Sequence, residues 1–400
     1  MNNQAENTIM EVLAETIDIP ESTYDKAEGR YRDLGDWLGR DNSVCAPYDP
    51  YIFPQGSFRL GTVIRPLGEE EEYDLDLACE LRNGIAKSTH SQEQLKNLVG
   101  VEVESYRNYR GIEDEKEEKH RCWRLPYKDQ MKFHMDIVPC IPEEEQKRQS
   151  IRVAMTKQGS EELLAETVSA LTVAITDDRS PHYRSLGREW DISNPEGYAR
   201  WFEFRMKLAQ GFLEKRVLIA KAASVDDLPT YRWKTPLQRC IQILKRHRDV
   251  MFVDHPAAKP ISVIITTLAA KAYAGETSVD EAMRNILRNI DSLVSRQGPR
   301  IPNPVDPAED FAERWTTREG LSMRLEENFW MWLDQAKTDF EVIKSSDNLQ
   351  FITRQATEKF AASPDVSILK GALGVAIPSI MVKPKSHNII NPAKPWMRYS

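Results

Sequence analysis

Two carboxylates stand two residues apart in Glu72-Tyr73-Asp74-Leu75-Asp76-Leu77, and a Gly-Ser pair precedes them in Phe53-Pro54-Gln55-Gly56-Ser57-Phe58-Arg59-Leu60-Gly61-Thr62. In a strand over Tyr73–Glu80 side chains alternate, so Asp74 and Asp76 share one face, about 7 Å apart, while Leu75 and Leu77 point the other way. Paired carboxylates of this kind suit a divalent metal. Gly56 lets the backbone approach a ligand closely, and Ser57 supplies a hydroxyl and an N–H for phosphate oxygens. Together they point to metal-assisted phosphoryl or nucleotidyl transfer.

In Phe133-His134-Met135-Asp136-Ile137-Val138 the same alternation sets His134 and Asp136 on one face, with Phe133, Met135 and Ile137 opposite. Asp136 is the third carboxylate. Transfer of a nucleotidyl group to a hydroxyl needs a more nucleophilic oxygen and a neutralised pyrophosphate. Two magnesium (or manganese) ions about 3.5–4 Å apart do both, and three carboxylates can hold them. Asp74 and Asp76 would anchor both metals, and Asp136 would complete the one on the attacking hydroxyl. Imidazole is a poor magnesium ligand, so His134 is expected to pack beside the site or contact a base.

These groups must be held by a sheet and by helices that cover it. Tyr24–Gly39 reads as a helix with Tyr31, Leu34 and Leu38 on one face. Gly56-Ser57 falls in a turn or at a helix start, and Glu69–Glu72 is an acidic, solvated connector before the Asp74 strand. A helical stretch near Gln92–Leu98 is followed by a strand through Val101, Val103 and Tyr106, then a charged loop at Glu113–His120. Cys122–Tyr127 and Lys132–Pro139 form a hairpin around Lys128-Asp129-Gln130. From Tyr198 the pattern turns helical: Tyr198–Leu218, Pro236–Val250, Ile261–Tyr273, Val279–Gln297 and Leu321–Lys344. Pro299–Pro307 reads as a linker, and Lys383–Ser400 as a Pro-containing basic tail. The expected architecture is a bilobal α/β protein. A nucleotidyltransferase core with a mixed sheet spans 1–200, a helical lobe that completes the nucleotide cleft spans 201–382, and the tail spans 383–400.

Composition narrows the classes. A 400-residue chain with 40% hydrophobic and 29% charged residues can bury a large core, and it contains no apolar run long enough for a membrane span. The start of the chain has no signal-peptide pattern, so a cytoplasmic protein with no membrane partner is expected. Five dispersed cysteines without a CxxC pair support neither a disulfide framework nor zinc. A formal charge of -8 argues against activation by duplex DNA. Lys245-Arg246-His247-Arg248 reads as a solvated or phosphate-facing patch, and Tyr198, Trp201 and Phe202 as core or as a base-stacking lid.

Gly56-Ser57, Asp74-x-Asp76 and Asp136 resemble the motif of the DNA polymerase beta-type nucleotidyltransferase superfamily. The wider segments Gln55–Thr62, Phe133–Pro139 and Ser193-Asn194-Pro195-Glu196-Gly197-Tyr198 resemble bacterial cyclic oligonucleotide synthases, the CD-NTases, which are similar to cyclic GMP-AMP synthase and oligoadenylate synthase. The spacer from Ser57 to Asp74 is longer than in many superfamily members. The resemblance implies an oligoadenylate synthase-like fold and nucleotide contacts from Gln55, Gly56 and Ser57. It also implies a lysine and a serine in the helical lobe that touch the donor triphosphate, best matched by Lys245 and Ser262. The implied activity joins nucleoside triphosphates, ATP and/or GTP, into a cyclic di- or trinucleotide. That messenger would act on a separate effector in anti-phage signalling, with a regulatory partner possible at the C-terminal tail. Alternatives are a template-independent transferase acting on RNA, protein or a small molecule, and an inactive nucleotide-binding scaffold.

Overall fold

The computed structural model describes residues 3–68, 71–127, 133–208 and 234–373. Helix α1 (Asn3–Ile17) leads into α2 (Glu21–Gly39), which buries Tyr24, Ala27, Tyr31, Leu34 and Leu38, the face that a 3.6-residue period predicts. Strand β1 (Pro50–Pro54) runs into the short helix α3 (Gly56–Leu60), and β2 (Tyr73–Leu81) carries the paired aspartates.

Helix α4 (Gln92–Arg110) starts at a capping box in which Ser91 Oγ accepts the Gln94 N–H and Gln94 Oε1 accepts the Ser91 N–H. It continues through the segment expected as a strand. Val99, Val103 and Tyr106 form its buried stripe, while Val101 is 58% exposed. The alternation of valines there is the outer edge of a helical face. Trp123 lies against Gly100 and donates its Nε1–H to the Lys96 carbonyl at 2.8 Å, so α4 packs directly on the sheet.

The charged loop contains the two-residue strand β3 (Glu117–Glu118), and β4 (Trp123–Tyr127) and β5 (Phe133–Pro142) form the expected antiparallel pair. Their connecting turn, Lys128–Gln130, lies outside the described residues. Helices α5 (Glu145–Lys157) and α6 (Glu162–Ser169) precede β6 (Val173–Ile175) and β7 (Asp191–Ser193). The main sheet order is β1-β2-β5-β4-β3, with β6 pairing the far end of β5 and β7 pairing β6. The β2–β5 pair is parallel and the others are antiparallel, giving the expected mixed sheet. Leu75, Leu77, Met135 and Ile137 are fully buried against α2 and α4 in one core, leaving the aspartate face toward the other lobe.

That lobe begins with α7 (Pro195–Met206), capped by Asn194 accepting the Gly197 N–H at 2.9 Å. Residues 209–218 of the long helix expected there lie outside the described residues, as does the 383–400 tail. Then come α8 (Pro236–Met251), α9 (Ser262–Ala272) and α10 (Val279–Asn289), the last followed by a single turn of 3-10 helix. The Pro-rich segment is more than a linker. It folds into a small antiparallel hairpin, β8 (Pro302–Asn303) and β9 (Asp306–Asp310). The remaining helices are α11 (Arg318–Ser322), α12 (Leu325–Lys344), α13 (Leu349–Phe360) and α14 (Val366–Ala372). Although first in the chain, α1 contributes Ile9, Met10, Leu13 and Ile17 to the core of this helical lobe. It crosses the division drawn at residue 200.

The basic run on α8 is not a solvated patch. Lys245, Arg246, His247 and Arg248 are all buried, and each has a partner. Lys245 Nζ donates to the Thr62 carbonyl at 2.8 Å, Arg246 to the Arg65 carbonyl, and Arg248 Nη1 to Ser262 Oγ at 3.0 Å, while His247 pairs with Asp339. Gln238 and Gln242, two turns and one turn earlier, donate to the carbonyls of Leu60 at 2.8 Å and Val63 at 2.6 Å. Side chains of one helix thus satisfy the backbone of residues 60–65, a stretch with no sheet partner of its own, which explains how polar groups can fill this interface.

Candidate active site

The register of the sheet assembles the acidic face. In the parallel β2–β5 ladder Asp76 is opposite Asp136 and Asp74 is opposite His134. Gly56, at φ +63°, starts α3 directly above Asp76, and a Cβ on it would overlap Asp76 Oδ2. Only glycine adopts this backbone freely and leaves that room. Gly61 closes the same short helix at φ +65°.

A cavity of about 400 Å³ opens here, lined by Gly56, Ser57, Asp74 and Asp76 on one side and by Lys245 and Ser262 on the other. Of the eight residues that the sequence places at this site, six line the cavity, and Gln55 and Asp136 do not. Gln55 is the exception among the nucleotide contacts. It does not line the cavity, and its amide Nε2 reaches back to the Leu77 carbonyl at 3.4 Å. It positions the start of α3 against β2. Within the aromatic trio Tyr198 lines the cavity, with its hydroxyl 2.8 Å from Thr267 Oγ1, whereas Trp201 and Phe202 are core.

Charge is concentrated on Asp76. Desolvation, and then the neighbouring Asp74 and Asp136, push its carboxyl up to about 7. Across the cleft, burial and the Arg248 cation bring the Lys245 ammonium down to about 7. Each group lacks the partner that would hold it charged, which is the state expected of a site built to enclose cations and phosphates together.

Asp136 is differently placed from the sequence-based expectation of an open ligand. Arg124, opposite it in the β4–β5 register, grips it with two bonds of 2.7 Å, Nε to Oδ1 and Nη2 to Oδ2. The Arg124 guanidinium also stands 3.9 Å from Asp74, whose side chain is 61% exposed. His134 bridges Glu72 at 2.5 Å and Asp74 at 3.6 Å, so it sits beside the acidic face and Glu72 is not a solvated connector residue. With Asp136 turned to Arg124, no group of three metal-ligating side chains is converged among the described residues. The donor set still fits a hard divalent cation. All three groups are carboxylates, and Asp76, raised first by burial and then by Asp74 and Asp136, stands close to both. Asp74 and Asp76 are the carboxylates that would hold it, and ligation by Asp136 would compete with Arg124.

Residues 50–140, spanning β1, the Gly-Ser helix, both aspartates of β2 and Asp136, match the family described as cyclic GMP-AMP synthase DncV-like, nucleotidyltransferase domain. The chain is 26% identical over 351 residues to a c-di-GMP synthase of Roseivirga ehrenbergii, covering 87% of this chain and 81% of that one. Over most of its length the chain is similar to the bacterial CD-NTases. A second relative, the cyclic dinucleotide synthase CdnG of Bradyrhizobium diazoefficiens, is 25% identical over 328 residues, 77% of this chain and 70% of the relative. The solved structure of that CdnG in complex with GTP superposes with a TM-score of 0.58 at 20% identity, covering 92% of this chain and 98% of that one. It shows that both lobes share the CD-NTase fold.

Several residues on the cavity were not singled out from sequence. Arg59 is buried on α3 and bonded to Glu196 at 3.0 and 2.9 Å and to Glu203 at 2.7 Å, both on α7. Asn303, Glu309 and Phe311 come from the β8–β9 hairpin and its exit. The hairpin hid in a run whose prolines read as a linker, although Asn303 flanked by two prolines is itself a turn signal.

Proposed function

We propose that this protein joins two or three nucleoside triphosphates, ATP and/or GTP, stepwise and closes them into a cyclic oligonucleotide. One observation carries the reading: Asp74 and Asp76 face a cavity whose other walls are Gly56-Ser57 and, from the helical lobe, the buried Lys245 and the half-buried Ser262. In each step the attacking hydroxyl oxygen bonds to the α-phosphorus, the bond from phosphorus to the pyrophosphate oxygen breaks, and the hydroxyl proton leaves.

Asp74 and Asp76, with Asp136 as a third donor shared with Arg124, would hold magnesium or manganese, which would supply charge neutralisation and a more acidic hydroxyl. The chain itself does the positioning. Gly56 keeps the backbone close, Ser57 offers a hydroxyl and N–H to phosphate oxygens, and Lys245, held on the Thr62 carbonyl, sets a cationic group opposite the carboxylates. Arg59, locked to α7, keeps α3 in register with the second lobe. By resemblance the product is a messenger for a separate effector in anti-phage defence inside the cytoplasm, with the C-terminal tail as a handle for a regulatory partner.

The test is mass spectrometry of products after incubation with magnesium and all four ribonucleoside triphosphates, beside an Asp74→Ala/Asp76→Ala control. A phosphatase-resistant cyclic product absent from the control is expected. Product only after RNA or a protein acceptor is added would overturn the cyclase reading in favour of a transferase.

A further inference from the structure

The β8–β9 hairpin closes one end of the active-site cavity with Asn303, Glu309 and, just beyond it, Phe311, beside Tyr198 and Ser193. The other end is marked by a neighbouring cavity that shares Ser57, Asp74, Lys245 and Ser262 with the first. Phosphate-seeking and metal-seeking groups therefore cluster where the two cavities join. The hairpin residues lie away from that junction. A nucleotide with its phosphates at the junction and its base in the first cavity would place that base beside Glu309, Phe311 and Tyr198. The Tyr198 and Phe311 rings, 6.2 Å apart at 69°, form an aromatic corner against which a base can lie.

We propose that Glu309, aimed by Asn303, is the specificity-determining residue of this site and that it selects guanine. The inference rests on the nucleotidyltransferase reading above and adds the base to it. Asn303 is buried; its Oδ1 accepts the Val305 N–H at 3.0 Å and its Nδ2 donates to Glu309 Oε2 at 2.6 Å. The backbone thus fixes the amide, and the amide fixes one carboxylate oxygen while the residue remains exposed to the cleft.

A carboxylate is acceptor-only, with lone pairs to spare on both oxygens. Guanine alone among the four bases presents two adjacent donors, N1–H and N2–H, which meet a carboxylate as a parallel pair of charge-assisted bonds. Adenine and cytosine each pair one donor with a ring-nitrogen lone pair that faces the carboxylate repulsively. Uracil offers a single N–H between two carbonyls. A site built to bond a donor that the wrong substrate lacks discriminates strongly, because its polar group is then left unpaired.

The experiment compares GTP, ITP, which lacks the N2 amine, and ATP, by kcat/KM and product mass for the wild type, Glu309→Gln and Glu309→Ala. In parallel, calorimetry measures binding of the three triphosphates to the Asp74→Asn/Asp76→Asn protein with and without Glu309→Gln. The expected result is a GTP-over-ITP preference of about tenfold or more in the wild type, collapsing toward one in both Glu309 variants. Loss of rate that is equal for all three triphosphates would overturn the inference, since a structural role lowers them together. Cyclic product without a guanine preference overturns it too and leaves the synthase reading standing. A Glu309-dependent preference for GTP in binding, with no cyclic product from any mixture, supports the inference and removes the synthase reading.

Discussion

Replacing Asp76 with asparagine should abolish turnover with magnesium and at the same time make the metal-free protein more stable. The Asp76 carboxyl is pushed from an ordinary value near 3.8 to about 7 by burial and by Asp74 and Asp136. The folded protein therefore holds this proton more tightly than the unfolded chain, and wild-type stability falls as pH rises from about 4 to about 7. At 1.36 kcal/mol per pH decade the ceiling of this cost is about 2 kcal/mol at pH 5.5 and about 4 kcal/mol at pH 8. The amide in the variant does not titrate, so the stability advantage of Asp76→Asn should widen by roughly 2 kcal/mol between those pH values. Urea denaturation in EDTA at pH 5.5, 6.5, 7.5 and 8 reads it directly. Magnesium should then raise the melting temperature of the wild type more than that of the variant. A variant less stable than wild type at pH 8, or a gap that does not move with pH, would refute the account of Asp76 as a carboxylate destabilised by its acidic neighbours.

Other substitutions probe the supports of the site. Gly56→Ala places a Cβ at φ +63° against Asp76 and should cost about 1–3 kcal/mol in denaturant melts, with a larger proportional loss of turnover. Arg124→Gln frees Asp136, so magnesium affinity measured by calorimetry should rise while metal-free stability drops by about 3 kcal/mol; unchanged affinity would show that Arg124 does not compete with the metal. Lys245→Met should raise the KM for triphosphate at least tenfold with the fold retained by circular dichroism, because the methionine fills the buried stem but carries no charge.

Much of this site was legible because its signals are local. Period-two alternation put Asp74 with Asp76 and His134 with Asp136, and the Gly-Ser pair marked the close approach above Asp76. Period also misled where two readings overlap: Val101 and Val103 alternate like a strand but belong to α4, whose buried positions are Val99, Val103 and Tyr106. The grip of Arg124 on Asp136 depends on a hairpin register that pairs positions 124 and 136, which a turn read as Lys128–Gln130 does not specify. Burial of Lys245–Arg248 was illegible for a different reason. Charged residues in sequence default to the surface, and nothing local announces that the unpaired carbonyls of residues 60–65 await them.

Those carbonyls bear on how far the catalytic half of the chain is a module. Residues 1–200 expressed alone would keep the sheet and the aspartates but lose Gln238, Gln242, Lys245 and Arg246, leaving the carbonyls of Leu60, Thr62, Val63 and Arg65 without their donors. The apolar face of α1 would lose α8 and α10 in the same cut. The acidic half is therefore not a cassette that can be grafted onto another helical lobe. Chimeras between relatives must carry α1, residues 60–65 and α8 as one block, and recombination breakpoints that survive in this architecture should fall outside it.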